Sequence, residues 1–155
     1  MGTLWRRIRG VKLVLVALVC ALGASTALAA APTSRRVVAP PPATLRAAGH
    51  TFTLAKGSYC WTDPSSGAAA CADMIPPPTR TDLARVVVPR GARMTVRLRF
   101  VAKAWTAGLW ARKARQTLPP GRTATIVART SGILTIDITK SAGGSASYLA
   151  RLVVR

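Results

Sequence analysis

Arg93-Met94-Thr95-Val96-Arg97-Leu98-Arg99-Phe100-Val101 is the stretch whose reading decides the fold. Successive side chains of a strand point to opposite faces. Met94, Val96, Leu98 and Phe100 therefore share one face, and Arg93, Thr95, Arg97, Arg99 and Val101 the other. The first face is predicted to be core and the second a basic ladder. Pro89-Arg90-Gly91 turns the chain into this strand, and Val86-Val87-Val88 ahead of it is a short apolar run.

The same period recurs downstream. Thr123 to Arg129 places Ala124, Ile126 and Ala128 on one face, and Ser131-Gly132 then turns. Ile133 to Thr139 alternates Leu134, Ile136 and Ile138 against Thr135, Asp137 and Thr139. After Ala142-Gly143-Gly144, the last strand points Tyr148, Ala150, Leu152 and Val154 inward and Arg151 and Arg155 outward. Between these strands, Lys103 to Gln116 reads as a short helix or a long loop carrying Trp105 and Trp110, ended by Pro119-Pro120-Gly121.

Upstream, Thr51 to Leu54 puts Phe52 and Leu54 on one face, and Lys56-Gly57 is a turn or bulge. Ser58 to Trp61 and Ala69 to Asp73 are two strands joined by Asp63-Pro64-Ser65-Ser66-Gly67, in which Pro presets φ and Gly tolerates positive φ. Cys60 and Cys71 flank that turn, and in an exported chain they form one disulfide across the hairpin. Closing such a loop stabilises a fold by roughly 3 kcal/mol on the chain-entropy view. Pro76-Pro77-Pro78 must leave the sheet, since proline donates nothing to a ladder. Seven or eight short strands with no convincing helix predict an all-β fold, an antiparallel, immunoglobulin-like β-sandwich, with an OB-type barrel as the alternative.

The amino terminus carries an address. Arg6, Arg7 and Arg9 precede the apolar run Leu13 to Ala24, and Ala27-Leu28-Ala29 is an A-x-A-like cleavage site. Residues 1–29 are thus predicted to be a signal peptide cut after Ala29, which sends the protein out of the cytoplasm to the envelope or beyond. Retention as an uncleaved anchor is one alternative, and lipidation at Cys20 is another, although Val19 is a poor residue before a lipidated cysteine. Residues 30–49, with Arg35-Arg36 and Pro40-Pro41-Pro42, read as an extended spacer outside the core, leaving one domain over 50–155. The 155 residues leave no room for a second.

Gly57-Ser58-Tyr59-Cys60-Trp61, Cys71-Ala72-Asp73, Pro89-Arg90-Gly91 before a long strand, and Gly144-Ser145-Ala146-Ser147-Tyr148 before the last one form a combination of short motifs. Together they resemble a group of small exported bacterial proteins, many of them lipoproteins. The resemblance covers the chain from about Phe52 to its end and implies a disulfide-closed β domain at the cell envelope. It carries over no catalytic residue, because none is established for the group.

Composition narrows the chemistry. His50 is the only histidine and no Gly-x-Ser-x-Gly elbow accompanies it, which argues against a Ser/His/Asp hydrolase. The four acids are Asp63, Asp73, Asp82 and Asp137, with no Glu, too few to place a carboxylate pair easily across a cleft; Asp63 serves the turn and Asp137 balances a neighbouring Arg. The set His50, Cys60, Cys71 and Asp73 matches no zinc spacing, and a blue-copper site needs two histidines. No Cys-x-x-Cys and no glycine-rich phosphate loop is present, so neither a cofactor nor a small-molecule substrate is expected.

What remains is charge. Twenty-three Lys and Arg against four Asp give a net charge of +19 and a pI near 11.9, a balance that draws polyanions through long-range attraction. An arginine- and alanine-rich composition also follows from a GC-rich genome. The predicted anion-binding residues are Arg93, Arg97 and Arg99 on the strand and Arg112, Lys113 and Arg115 near Trp105 and Trp110. The expected function is a non-enzymatic envelope module that binds anionic envelope polymers, a membrane surface or a protein partner weakly. A nucleic-acid-binding barrel that stacks bases on Trp105 or Trp110 is the second reading, and a thiol-disulfide redox protein using Cys60 and Cys71 is the third.

Overall fold

The computed structural model describes residues 38–141 and 143–155; the predicted signal peptide, Cys20, Arg35-Arg36 and Ala142 lie outside them. Ten strands are formed: β1 (Thr44–Ala47), β2 (His50–Thr53), β3 (Ala55–Thr62), β4 (Ala69–Ala72), β5 (Arg85–Val88), β6 (Arg93–Leu109), β7 (Arg115–Leu118), β8 (Gly121–Val127), β9 (Gly132–Lys140) and β10 (Gly144–Val154). Among the described residues the only helical piece is a 3-10 turn at Pro77–Thr79, where the proline triplet leaves the sheet. The fold is all-β, a curled sheet whose pairs are antiparallel except β5 against β10. The parallel pair and the count of ten depart from the seven or eight antiparallel strands predicted.

The decisive strand is much longer than its sequence signature, and the reason is a bulge. Ala102 faces Lys140 while Ala104 faces Thr139, so Lys103 is an extra residue on β6. An inserted residue reverses which side chains point inward and bends the strand. Accordingly the buried set changes from Met94, Val96, Leu98 and Ala102 to Trp105 and Ala107. The predicted helix or loop over Lys103 to Gln116 is corrected: it is the second half of β6, a tight turn and the start of β7. Trp105 is core, its indole N–H donating to the Pro119 carbonyl, which is how a buried Trp keeps its polar edge satisfied.

β6 organises the sheet. Along one side it pairs with β8 and then β7, and along the other with β1 in its first half and β9 in its second. From β9 the sheet continues through β10 and β3 to the edge strand β4, and from β1 to the edge strand β2. The predicted inward faces meet in one core: Ala124, Ile126 and Ala128; Leu134, Ile136 and Ile138; Tyr148, Ala150 and Leu152. Phe100 packs edge-on against Trp61, with ring centroids 4.8 Å apart.

The predicted spacer is not all spacer. Ala43, Leu45 and Ala47 are fully or almost fully buried, and Thr44–Ala47 bridges β2 and β6. Pro40 is buried too, and Tyr148 donates its hydroxyl to the Pro41 carbonyl at 2.6 Å. The domain therefore begins before residue 50, because the alternation of 43, 45 and 47 was hidden beside a proline triplet. The predicted hairpin of β3 and β4 is present, with Cys60 directly opposite Cys71 and the sulfurs bonded at 2.05 Å. Asp63 serves its turn: its carboxylate accepts from the Ser65 amide at 2.8 Å and the Ser65 hydroxyl at 2.6 Å, and Gly67 takes φ +70°. The turn-or-bulge reading at Lys56-Gly57 resolves as a bulge, with two residues of β3 opposite Ser147.

Candidate anion-binding face

The first halves of the strands around β6 make a polar face. Register sets Thr53, Thr44, Arg97 and Thr123 in one row across β2, β1, β6 and β8, and Thr51, Arg46, Thr95 and Thr125 in the next. Each strand puts its apolar residue, Phe52, Leu45, Val96 or Ala124, on the opposite face, where it is buried or half-buried. This is why threonine and arginine alternate with apolar side chains here: the β-branched threonines favour the pleated strand and the apolar partners fill the core.

At one end of the face, Arg97, Arg99 and Arg122 join the hydroxyls of Thr44, Thr53 and Thr123 around a cavity of about 790 Å³ that no carboxylate lines. Two kinds of anion donor thus converge. A guanidinium presents a planar fork that suits the oxygens of a phosphate or carboxylate, and hydroxyls can donate beside it.

The acids explain why this face stays cationic. Asp63 closes the β3–β4 turn, and Asp73 lies just beyond β4. Asp82 accepts from Arg80 Nε at 2.7 Å and forms an ion pair with it, so the guanidinium holds its carboxyl below the ordinary value. Asp137 on β9 pairs with Arg115 and accepts from the Ser147 hydroxyl at 2.6 Å. The sequence expectation that Asp137 balances an Arg is met. All four carboxylates of the chain lie in the β3-to-β5 stretch or on β9, none on the threonine-arginine face.

The six predicted anion-binding residues fall into two groups. Arg93, Arg97 and Arg99 are exposed along the outer face of β6. Arg112, Lys113 and Arg115 belong to the β6–β7 turn and β7, beyond the bulge, and Arg115 is engaged by Asp137. Arg46 and Arg122 were missed. Their signal is only the pairing of β1 and β8 with β6, which strand periodicity does not reveal.

The competing readings meet different geometry. Trp105 is 1 % exposed and offers no base-stacking surface, whereas Trp110 is 43 % exposed. His50 is exposed at the start of β2 with its ring 6.3 Å from that of Phe52. A second groove of about 420 Å³ crosses β6, β9, β10 and β3; Asp73 and Asp137 both line it with Ser58, Thr106, Ser145 and Ser147, beside apolar Ala104 and Ile138 and with no histidine. Among the described residues no three His, Cys, Asp or Glu side chains converge as metal ligands would, and no helix is long and apolar enough to cross a membrane. Compared with protein families, with curated proteins and with solved structures, the chain finds no match.

Proposed function

We propose that this chain is an exported, non-enzymatic β module of the cell envelope that holds an anionic polymer weakly on the face bearing Arg97, Arg99 and Arg122. The observation that carries the reading is the convergence of those three arginines with Thr44, Thr53 and Thr123 around one cavity without a carboxylate. Arg46 and Arg93 extend the positive surface along the same face. The polymer's repeating acid groups would be met by guanidinium forks and threonine hydroxyls, with an attraction that weakens as salt rises. The signal-like residues 1–29 and the motifs around Cys60 and Cys71 support placement outside the cytoplasm. No resident cofactor is required. The ten strands belong to one continuous sheet that curls at the Lys103 bend of β6, which supports the OB-type barrel alternative over an immunoglobulin-like pair of separate sheets.

The test is binding to a soluble phosphate-linked polymer, with wild type compared with Arg97→Gln/Arg99→Gln/Arg122→Gln. The triple variant should lose at least about tenfold in affinity at low salt while keeping its fold. Unchanged affinity would refute the reading. A preference for single-stranded nucleic acid over other polyanions of equal charge would favour the nucleic-acid reading, and a Cys60–Cys71 bond that millimolar dithiothreitol opens readily in the folded protein would favour the redox one.

A further inference from the structure

The bend in β6 also creates a cavity that polymer binding leaves unused. It has a volume of about 570 Å³, within the common range for small-molecule sites of about 300 to 1,000 Å³. Met94, Ile126, Leu134 and Leu152, the ends of core side chains, form its floor. Arg90, Arg112 and Arg129 stand at its rim with Arg115. They arrive from three places: Arg90 from the turn before β6, Arg112 from the turn after it, and Arg129 from the end of β8. The first and third are held together by backbone hydrogen bonds, Gly91 N to Ala128 O at 2.8 Å and Ala128 N to Ala92 O at 2.9 Å. The second is fixed by Arg112 N to Leu109 O at 3.0 Å.

No carboxylate lines this cleft, and only Arg115 has a carboxylate partner, Asp137. An apolar floor under an arginine rim discriminates on two counts. Methylenes laid on the floor leave water, which a fully polar polymer cannot exploit. The forks at the rim suit an acidic head and repel a cationic one. We propose that this cleft binds an anionic single-chain amphiphile, with its carboxylate, sulfate or phosphate head among Arg90, Arg112 and Arg129 and its nearest methylenes over Met94, Ile126, Leu134 and Leu152. The site is separate from the Arg97, Arg99 and Arg122 face and does not depend on that face being functional.

The experiment is photo-crosslinking of the full chain by a twelve-carbon fatty acid carrying a diazirine at its tail, with the labelled residues mapped by peptide mass spectrometry. Label is expected within the segments 107–116, 126–130 or 152–155. Laurate should compete at least about tenfold better than butyrate or dodecyltrimethylammonium, which share only its head or only its tail. Arg90→Gln/Arg112→Gln/Arg129→Gln should lose most of the label from those segments, and Arg97→Gln/Arg99→Gln/Arg122→Gln should keep it. Anionic bilayer vesicles distinguish the source of the ligand: failure to displace the label points to a free amphiphile, displacement to a membrane lipid. Label confined to Leu13–Ala24, equal competition by the cationic amphiphile, or loss of label in the second triple variant would overturn the proposal.

Discussion

Tyr148 shows how much one side chain decides. It is fully buried on β10 and reaches the Pro41 carbonyl, tying residues that precede β1 to the last strand of the chain. Burial holds its phenol well above the ordinary value. A folded pKa above the unfolded one means that the contribution is intact below pH about 10 and is lost as pH climbs toward the folded value, because the unfolded chain gives up its proton first. Tyr148→Phe should therefore cost about 1 kcal/mol near neutral pH, by leaving the Pro41 carbonyl without its donor. Its stability should then fall less steeply than wild type's in alkaline denaturation. Gly57 is the second such position. A Cβ there would lie 2.4 Å from the Ser147 Cβ and 2.9 Å from the Ser147 carbonyl oxygen, both rigidly placed across the β3–β10 bulge. Gly57→Ala should destabilise by about 1 to 3 kcal/mol, read as a lower urea midpoint with an unchanged slope. Lys56-Gly57 was legible only as a turn or bulge; that Gly57 lies inside one continuous strand, and that it must clear Ser147, was not, since Ser147 is distant in sequence.

At the scale of the elements, the strands that alternate cleanly were readable and those that bend were not. β8 shows its buried face in sequence because it alternates without interruption, and β9 and β10 show theirs through Leu134, Ile136 and Ile138 and through Tyr148, Ala150 and Leu152; what they hide is that Thr135 and Leu149, register partners on the opposite face, are buried as well. β6 hides its second half, because one extra residue at Lys103 reverses the parity and the apolar set no longer follows from the first. β1 was hidden for another reason: four residues beside three prolines give too little pattern to outweigh the breaker signal. The β3–β4 hairpin was readable from its turn, and its disulfide closes an exposed edge of the sheet. Cys60→Ala/Cys71→Ala should lower stability by roughly 3 kcal/mol in chemical denaturation, with the core strands still formed. In protein recovered from its producer, Cys60 and Cys71 should take up a thiol label only after reduction.

At the scale of the whole molecule, the acidic groups among the described residues are sorted rather than spread. A net charge of +19 alone would attract any polyanion weakly from every side. Instead the carboxylates stay with β9 and the stretch from β3 to β5, Asp82 and Asp137 being engaged by Arg80 and Arg115, and the threonine-arginine face keeps its guanidinium groups free of acidic neighbours. The total charge was legible from composition, and so was the Arg93, Arg97 and Arg99 ladder. The cavity was not, since Thr44, Thr53, Arg97 and Thr123 come from four strands that only the topology places side by side.

The measurement that most directly tests the central claim compares two variants of equal charge against one phosphate-linked polymer at low salt. One removes Arg97, Arg99 and Arg122 from the cavity. The other removes Arg85, Arg151 and Arg155, of which the first two are register neighbours on β5 and β10. Binding through a built face predicts a loss of at least about tenfold for Arg97→Gln/Arg99→Gln/Arg122→Gln and little change for Arg85→Gln/Arg151→Gln/Arg155→Gln. Equal losses in the two variants would mean that the polymer reads only net charge, and the face would not be a site.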